Sequence, residues 1–234
     1  MKILAIIPAY NEEKNIGLVV RELKIASPSI DVLVINDGST DKTPRIAKEA
    51  GAEVISLPVN LGIGGAVQTG FLYAWNKGYD IALQVDGDGQ HRPDEIQNLI
   101  QPLLDSEVDV TIGSRFLNKT SYQMPAARRL GIFFLKKTLN NVVRKKYTDP
   151  TSGFRAYNRR ALRILSQHYS IDYPEPDAIV TLLRNGLQVT EISVEMDPRR
   201  FGKSSITPFK SGYYMFKVSM AIIFNAMMGT TWRE

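Results

Sequence analysis

Along the first 114 residues the chain switches between two hydrophobic periods. Short, nearly continuous apolar runs recur at Lys2–Ile7, Asp31–Ile35, Glu53–Leu57, Asp80–Val85 and Val108–Ile112. Between them apolar residues fall at helical spacing, first at Ile16, Val19, Val20 and Leu23, then over stretches ending at Ala50, Asn76 and Leu104. Strand-length runs alternating with helical segments predict a parallel sheet covered by helices. Asn11 is predicted to cap the first helix, and Thr40 or Asp41 the second, which Gly51 closes. The third helix spans Gly64–Asn76 after a Gly-rich turn, and the fourth spans Pro93–Leu104.

The second half is less regular. A basic helix is predicted over Ala126–Lys145, a turn at Asp149-Pro150 and a helix from Asn158. Pro174 and Pro176 open a helix that runs to Arg184 and is closed by Asn185-Gly186. Gln188–Glu195 alternates like a strand with one solvated face. From Pro208 onward, Phe209, Tyr213, Phe216, Met220, Ile223, Phe224 and Met227 describe an amphipathic helix. The expected organisation is one α/β domain over residues 1–207, with halves 1–114 and 115–207, followed by the amphipathic segment 208–234.

Composition narrows the chemistry. With 234 residues, 44% of them hydrophobic, the chain is long enough to bury one large core. The absence of Cys excludes disulfides, thiolate metal sites and a Cys nucleophile. Two histidines, His91 and His168, are too few for a polyhistidine zinc site and read as ordinary polar positions. A metal would therefore sit among oxygen ligands, as magnesium or manganese do. No signal peptide is legible, and the apolar stretch Val218–Trp232 is shorter than the roughly 20 residues a bilayer crossing needs. A cytoplasmic protein is expected.

Charge is divided along the chain. Residues 1–114 hold 9 Lys/Arg and 16 Asp/Glu, a net −7, whereas residues 115–234 hold 20 and 8, a net +12. From Arg115 to Lys146 nine residues are basic and none is acidic. An anionic partner is expected on this half. Nucleic acid is not, because aromatics do not interleave with the basic residues as a stacking platform requires.

The strongest chemical feature is Asp86-Gly87-Asp88-Gly89-Gln90, directly after a buried strand. If the chain stays extended, a period of two places Asp86, Asp88 and Gln90 on one side, where two carboxylates and an amide oxygen suit a hard divalent cation. Ligands of open α/β sheets bind beyond the carboxyl ends of the strands. Pro8-Ala9-Tyr10-Asn11-Glu12 and Asp37-Gly38-Ser39-Thr40-Asp41 end the first two strands, so the three clusters outline one crevice. Asn11 and Asp41 are adequately explained as caps; Asp37, ahead of the cap, is not.

These motifs resemble the inverting family 2 glycosyltransferases with the GT-A (Rossmann-like) fold. Gly113-Ser114-Arg115, Thr151-Ser152-Gly153-Phe154-Arg155 and Arg199-x-x-Gly202-x-Ser204 resemble its polyprenyl-phosphate branch, the dolichol-phosphate mannose synthase type. The resemblance implies that Pro8, Ala9, Tyr10, Asn11, Glu12 and Asp37 hold the nucleoside of a nucleotide-diphosphate sugar. Asp86, Asp88 and Gln90 would place Mg2+ or Mn2+ on its diphosphate, with Asp88 central to catalysis. The Asn60–Gly65 loop, through Gly62 and Gly65, would approach the donor with backbone amides, and Arg199 or Arg200 with Lys203 would meet the diphosphate. Arg115, Arg128, Arg129 and Ser152 would bind the phosphate of undecaprenyl or dolichyl phosphate, with Arg115 acting in catalysis.

A phosphate acceptor is already an anion and needs no base; a hydroxyl acceptor would, and Glu175 and Asp177 are then the candidates. Both also fit helix N-terminal charge. Lys136, Lys137, Arg144, Lys145 and Lys146 read as charge facing an anionic membrane, and the tail as an interfacial helix or a helix packed on the domain itself. The expectation is a peripheral enzyme at the cytoplasmic face of the membrane, serving cell-envelope or glycan assembly. A small membrane-anchor protein and a homo-oligomer remain open. The contrasting reading is a non-catalytic protein bound to anionic membranes.

Overall fold

Every residue of β1 (Ile3–Ala9) is buried, as its unbroken apolar run requires of a central parallel strand. The computed structural model describes residues 1–118, 126–171 and 174–201, together with Val218 and Met220. After β1 come α1 (Ile16–Ala26), β2 (Asp31–Asn36), α2 (Thr43–Glu49), β3 (Glu53–Ser56), α3 (Gly62–Asn76) and β4 (Ile81–Gln84). A 3₁₀ turn at Pro93–Glu95 leads into α4 (Ile96–Leu104), then β5 (Val110–Ser114) and α5 (Ala126–Val143). The chain continues through β6 (Arg155–Asn158), α6 (Arg159–Leu165), α7 (Pro174–Arg184) and β7 (Val189–Ser193).

The strands form one sheet in the order β3-β2-β1-β4-β6-β5-β7. Strands β3, β2, β1 and β4 are mutually parallel, and β5 is parallel to β7. The alternation of side chains across the sheet feeds two cores. Leu4 and Ile6 of β1 and Leu33 and Ile35 of β2 pack with α3, α5, α6 and α7 on one face. On the other face Ile3, Ala5 and Ile7 of β1 join Val32 and Val34 of β2 in the core under α1, α2 and α4. Each fully buried Leu or Ile contributes roughly 1.5–3 kcal/mol relative to exposure, so the doubly covered strands supply much of the fold's stability.

Through residue 201 the predicted helices and parallel strands are found, with ends shifted by a few residues and the Pro93–Leu104 helix beginning as the 3₁₀ turn. One strand has no counterpart in the sequence reading. β6 is only four residues long and opens with a charged Arg, so it carries no apolar signature. It runs antiparallel between β4 and β5, pairing Arg155 with Gln84 on one side and Ile112 on the other. That direction carries the preceding Ser152-Gly153-Phe154 turn to the carboxyl ends of β4 and β5, where β1 and β2 also end. Val218, from the predicted amphipathic tail, is buried in the first core; the rest of 208–234 lies outside the described residues except for Met220. Among the described residues no helix is long and apolar enough to cross a membrane.

Candidate functional site

The loops after β1 and β2 are knitted to each other, and only the second, through the Asp41 side chain, also holds an N–H at the start of its own helix. Asn11 adopts a positive φ of 55°. Its backbone N–H donates to Ser39 Oγ at 2.9 Å, and its Oδ1 accepts the Thr40 N–H at 2.9 Å. It therefore does not cap α1, which starts at Ile16 with the Glu12 carbonyl accepting the Asn15 and Ile16 N–H groups. Asp41 accepts the Thr43 N–H at 2.9 Å at the start of α2 and the Glu13 N–H from the first loop. Asp37 is buried, and its two oxygens accept the N–H groups of Leu61 (2.7 Å) and Gly62 (3.0 Å). Two amides of the loop expected to meet the donor are thus already held by Asp37, which fixes the entry to α3. Pro8 and Ala9 are buried, while Tyr10 is half exposed at the rim.

The Asp86–Gln90 segment is not extended. It turns at Gly87-Asp88, and Gly89 takes a φ of 76°, so a strand period does not align its side chains. Its shape comes from three contacts. Asp88 Oδ1 accepts the Gln90 N–H at 3.1 Å. The Gln90 carbonyl accepts the Asp197 N–H at 2.9 Å, and Gln90 Nε2 donates to the Asp197 carbonyl at 3.3 Å. The Asp86 N–H donates to Nδ1 of His91 at 3.0 Å. Pairing with residues 196–197 brings Arg199 over the turn. Its Nε lies 3.2 Å from Asp88 Oδ2, and another of its nitrogens reaches Glu12 Oε1 at 2.9 Å. One guanidinium thereby joins the β1 loop to the Asp86–Asp88 turn. Arg200 instead pairs with Glu22 on α1 at 2.6 Å.

Asp86 opens partly to the cleft, with the Ser152-Gly153 turn against its back. A Cβ at Gly153 would lie 3.0 Å from Asp86 Oδ1 and 3.1 Å from Gln84 Nε2, so any side chain there would press on the carboxylate. Burial pushes Asp86 up to about 6, against the pull of Arg115 and Arg199. Glu12 is also raised, by burial first and by the Asp88 charge, with Asn15 and Arg199 opposing. Glu175, in the first turn of α7, is pushed up to about 7 by burial, with Arg155 opposing and the Asp86 charge adding to the rise. Asp86 and Glu175 therefore belong to one electrostatic site. Asp177 lies on the same turn, partly buried.

The basic side of the cleft is structurally committed. Arg115 grips the buried Asp149 with both arms of a fork, Nε to Oδ2 at 2.6 Å and an Nη to Oδ1 at 2.8 Å. Glu191 of β7 orders that turn by accepting the Thr148 and Asp149 N–H groups, each at 2.7 Å. Arg115 is thus paired at the edge of the cleft rather than presented to it alone. Ser152, expected at the acceptor phosphate, is buried, and its hydroxyl oxygen accepts the Phe154 N–H at 3.3 Å. It shapes the turn. The side chains of Arg128 and Arg129, at the start of α5, and Lys203 lie outside the described residues.

Sequence reasoning passes over His91, Asp149 and Arg155 as working parts. Arg155 stands inside a quoted motif, and His91 directly follows Gln90, so position alone could have singled out both. Among the described residues no group of three or more His, Cys, Asp or Glu side chains could hold a metal ion. A cation here would take Asp86 and Asp88 and complete its shell with ligand oxygens, as magnesium does with phosphates. The residues fit such an ion: Gly153 packs behind Asp86 without a side chain to press on its carboxylate, and a guanidinium already sits between Asp88 and Glu12, so the field at this spot accommodates positive charge.

The architecture has known counterparts. Glucosyl-3-phosphoglycerate synthase from Mycobacterium tuberculosis, solved with Mn2+, UDP-glucose and phosphoglyceric acid, superposes with a TM-score of 0.73 at 22% identity, over 96% of this chain and 79% of that one. The fold is therefore GT-A. Residues 4–165 match the model of Glycosyl transferase family 2, and the chain belongs to that family. It is 32% identical over 237 residues to the UDP-N-acetylglucosamine–dolichyl-phosphate N-acetylglucosaminyltransferase of Methanococcus voltae, covering 92% of this chain and 93% of that one. It is 31% identical to the polyprenol monophosphomannose synthase of Mycolicibacterium smegmatis, covering 92% and 85%. These relatives place it beside the polyprenyl-phosphate glycosyltransferases.

Proposed function

We propose that the protein transfers a sugar, with inversion, from a nucleotide-diphosphate sugar to a polyprenyl phosphate, with Mg2+ or Mn2+ held by Asp86 and Asp88. The observation that carries this reading is the convergence of Asp86, Asp88, Glu12 and Arg199 at the carboxyl ends of β1 and β4, where an α/β sheet binds its ligand. The metal, when bound, neutralises charge developing on the diphosphate leaving group. Arg199 supplies the same sign of charge from the protein side. Asp37 acts on the nucleoside end by fixing the 60–62 loop, and Arg115 with Asp149 sets the wall on the acceptor side. A phosphate acceptor attacks as an anion, so positioning replaces base catalysis. The names of the two relatives support a polyprenyl-phosphate acceptor, and the basic half supports work at an anionic membrane surface.

Glu175 favours a second reading. A carboxyl group raised to about 7 beside Asp86 is suited to accept a proton near neutral pH. With a glycan hydroxyl as acceptor, Glu175 would be the base, and Asp177 the alternative.

The test is a panel of radiolabelled UDP- and GDP-sugars incubated with the protein, with and without Mn2+ or Mg2+ and with and without undecaprenyl or dolichyl phosphate, followed by organic extraction. Label is expected in the organic phase only when metal and lipid phosphate are both present, and Asp88→Ala should abolish it. Full turnover by Asp88→Ala in chelator overturns the metal reading. Wild-type transfer to a glycan rather than a lipid, lost in Glu175→Gln, moves the assignment to the hydroxyl acceptor.

A further inference from the structure

The Asp86–Asp88 turn leans on one side chain that the proposed chemistry does not use. His91 is buried, with its ring stacked on Phe154 at 4.6 Å between centroids and 22° between planes. Its Nδ1 lies 3.0 Å from the Asp86 backbone nitrogen, and its Nε2 lies 3.5 Å from Asp86 Oδ2. A backbone N–H can only donate, so Nδ1 is the acceptor and the ring proton resides on Nε2, facing the carboxylate. The same imidazole thus holds Asp86 by its main chain and flanks it by its side chain. Phe154 in turn precedes Arg155 in β6, and His91 forms an isolated antiparallel bridge with Met196, three residues before Arg199. The ring sits where the metal turn, the β6 entry and the Arg199 segment meet.

From this we infer that His91 is the positioning residue of the metal turn: it satisfies the Asp86 N–H, orients the Asp86 carboxylate from behind and thereby sets the affinity for the divalent cation. The inference rests on the reading of Asp86 and Asp88 as metal ligands. Groups that hold a first ligand from outside typically carry 10–100-fold in metal affinity. Here the usual order is reversed: an imidazole would hold a carboxylate ligand from outside, instead of a carboxylate holding an imidazole ligand.

Two substitutions separate the hydrogen bond from the packing. His91→Phe keeps a flat ring against Phe154 but leaves the Asp86 N–H with no acceptor. His91→Asn loses the ring but places Oδ1 near the former position of Nδ1, where it accepts that N–H. The measurement is Mn2+ binding to the full chain in the presence of UDP and, separately, of GDP, followed by electron paramagnetic resonance of free Mn2+, with thermal unfolding recorded in parallel. Wild type is expected to bind, His91→Phe to bind at least tenfold more weakly, and His91→Asn to recover most of the loss, whichever variant melts lower.

Equal Mn2+ affinity in wild type and His91→Phe overturns the positioning role while leaving the metal reading intact. Equal weakening in both variants overturns it too, since the hydrogen bond is then not the cause. No Mn2+ binding by wild type with either nucleotide overturns the metal reading and this inference with it. Independently of any variant, the imidazole 15N shifts of the wild type at pH 7 must show an unprotonated Nδ1; a proton on Nδ1 refutes the arrangement.

Discussion

Arg155 shows how much of the site is decided by single buried side chains. It is fully buried, and its guanidinium donates to the carbonyls of Ser152 (2.7 Å), Pro150 (2.8 Å) and Glu175 (2.8 Å). One cation thus orders both the turn behind Asp86 and the first turn of α7. Its charge also pulls Glu175 downward, yet burial wins and the carboxyl rises to about 7. The sign of the consequence follows from linkage. Between its unfolded value near 4.5 and about 7, Glu175 holds its proton more tightly in the folded chain, so stability falls as pH rises through that window and the loss is complete above it. Glu175→Gln cannot ionise. Its melting temperature relative to wild type should be constant below about pH 4.5, climb from there to about pH 7 and level off above. Asp86, raised to about 6, adds a loss of the same sign, and His91, pushed down to about 4, one of opposite sign; the His91 contribution cancels in the difference, whereas Asp86, coupled to Glu175, broadens the climb without changing its sign. Paired melting curves from about pH 4 to 8 decide it, and a flat difference would refute the raised Glu175.

At the scale of elements, the approach of α3 to the segment ahead of α7 is the tightest constraint around the cleft. A Cβ at Gly64 would stand 2.3 Å from the Ser170 carbonyl oxygen and 2.4 Å from that of Ile171. Both obstacles are backbone, which cannot swing aside as a side chain does. Gly64→Ala must push α3 or the 170–171 segment away, at a cost of about 1–3 kcal/mol, or several degrees of melting temperature for a chain of this size. Because Asp37 holds the Leu61 and Gly62 amides at the same end of α3, UDP affinity should fall with it; calorimetry of UDP binding beside a thermal melt checks both, and unchanged values in both refute the constraint. The sequence made α3 legible through its apolar period but not the reason for its glycines, because a close approach is a property of two segments roughly 100 residues apart, which no local period records. The parallel strands were legible for the converse reason: burial on both faces writes a continuous apolar run. β6 was invisible because its four residues are held by neighbours β4 and β5, not by their own pattern. Asn11 read as a cap because Asn commonly is one; its actual partners, Ser39 and Thr40, belong to the next loop. The Asp-x-Asp cluster and its strand-end position were legible, whereas the turn that shapes it depends on Asp197 and His91.

For the whole molecule, the division of charge along the chain, −7 before residue 115 and +12 from that residue onward, has a spatial counterpart in α5. Its inner side buries Ile132, Leu135 and Leu139, while Phe133 and Phe134 stand 50% and 57% exposed, ring edge to ring face at 5.9 Å. Lys137 on the same helix and Arg144 and Lys146 just beyond it are exposed. Lys145, though exposed, is tied to the Val189 carbonyl at 2.6 Å, so it is the other three that bear on an external surface. Paired aromatics rimmed by cations match an anionic bilayer, where the rings enter the interface and each basic residue adds about 1 kcal/mol. This belongs with the proposed lipid-phosphate acceptor, whose phosphate lies at that surface. Co-sedimentation with phosphatidylglycerol-containing vesicles is expected to be strong at low salt and to weaken as salt rises. Removing two partly inserted rings, each contributing on the order of 1–2 kcal/mol, should lower the partition coefficient of Phe133→Ser/Phe134→Ser more than tenfold at any salt concentration, while its melting temperature stays near that of wild type because both rings are already exposed. Substituting Lys137 and Lys146 by Gln should instead weaken binding chiefly at low salt. A double Phe variant that sediments as well as wild type would place the contact elsewhere on the basic half, and vesicle binding indifferent to salt would separate the charge division from membrane attachment altogether.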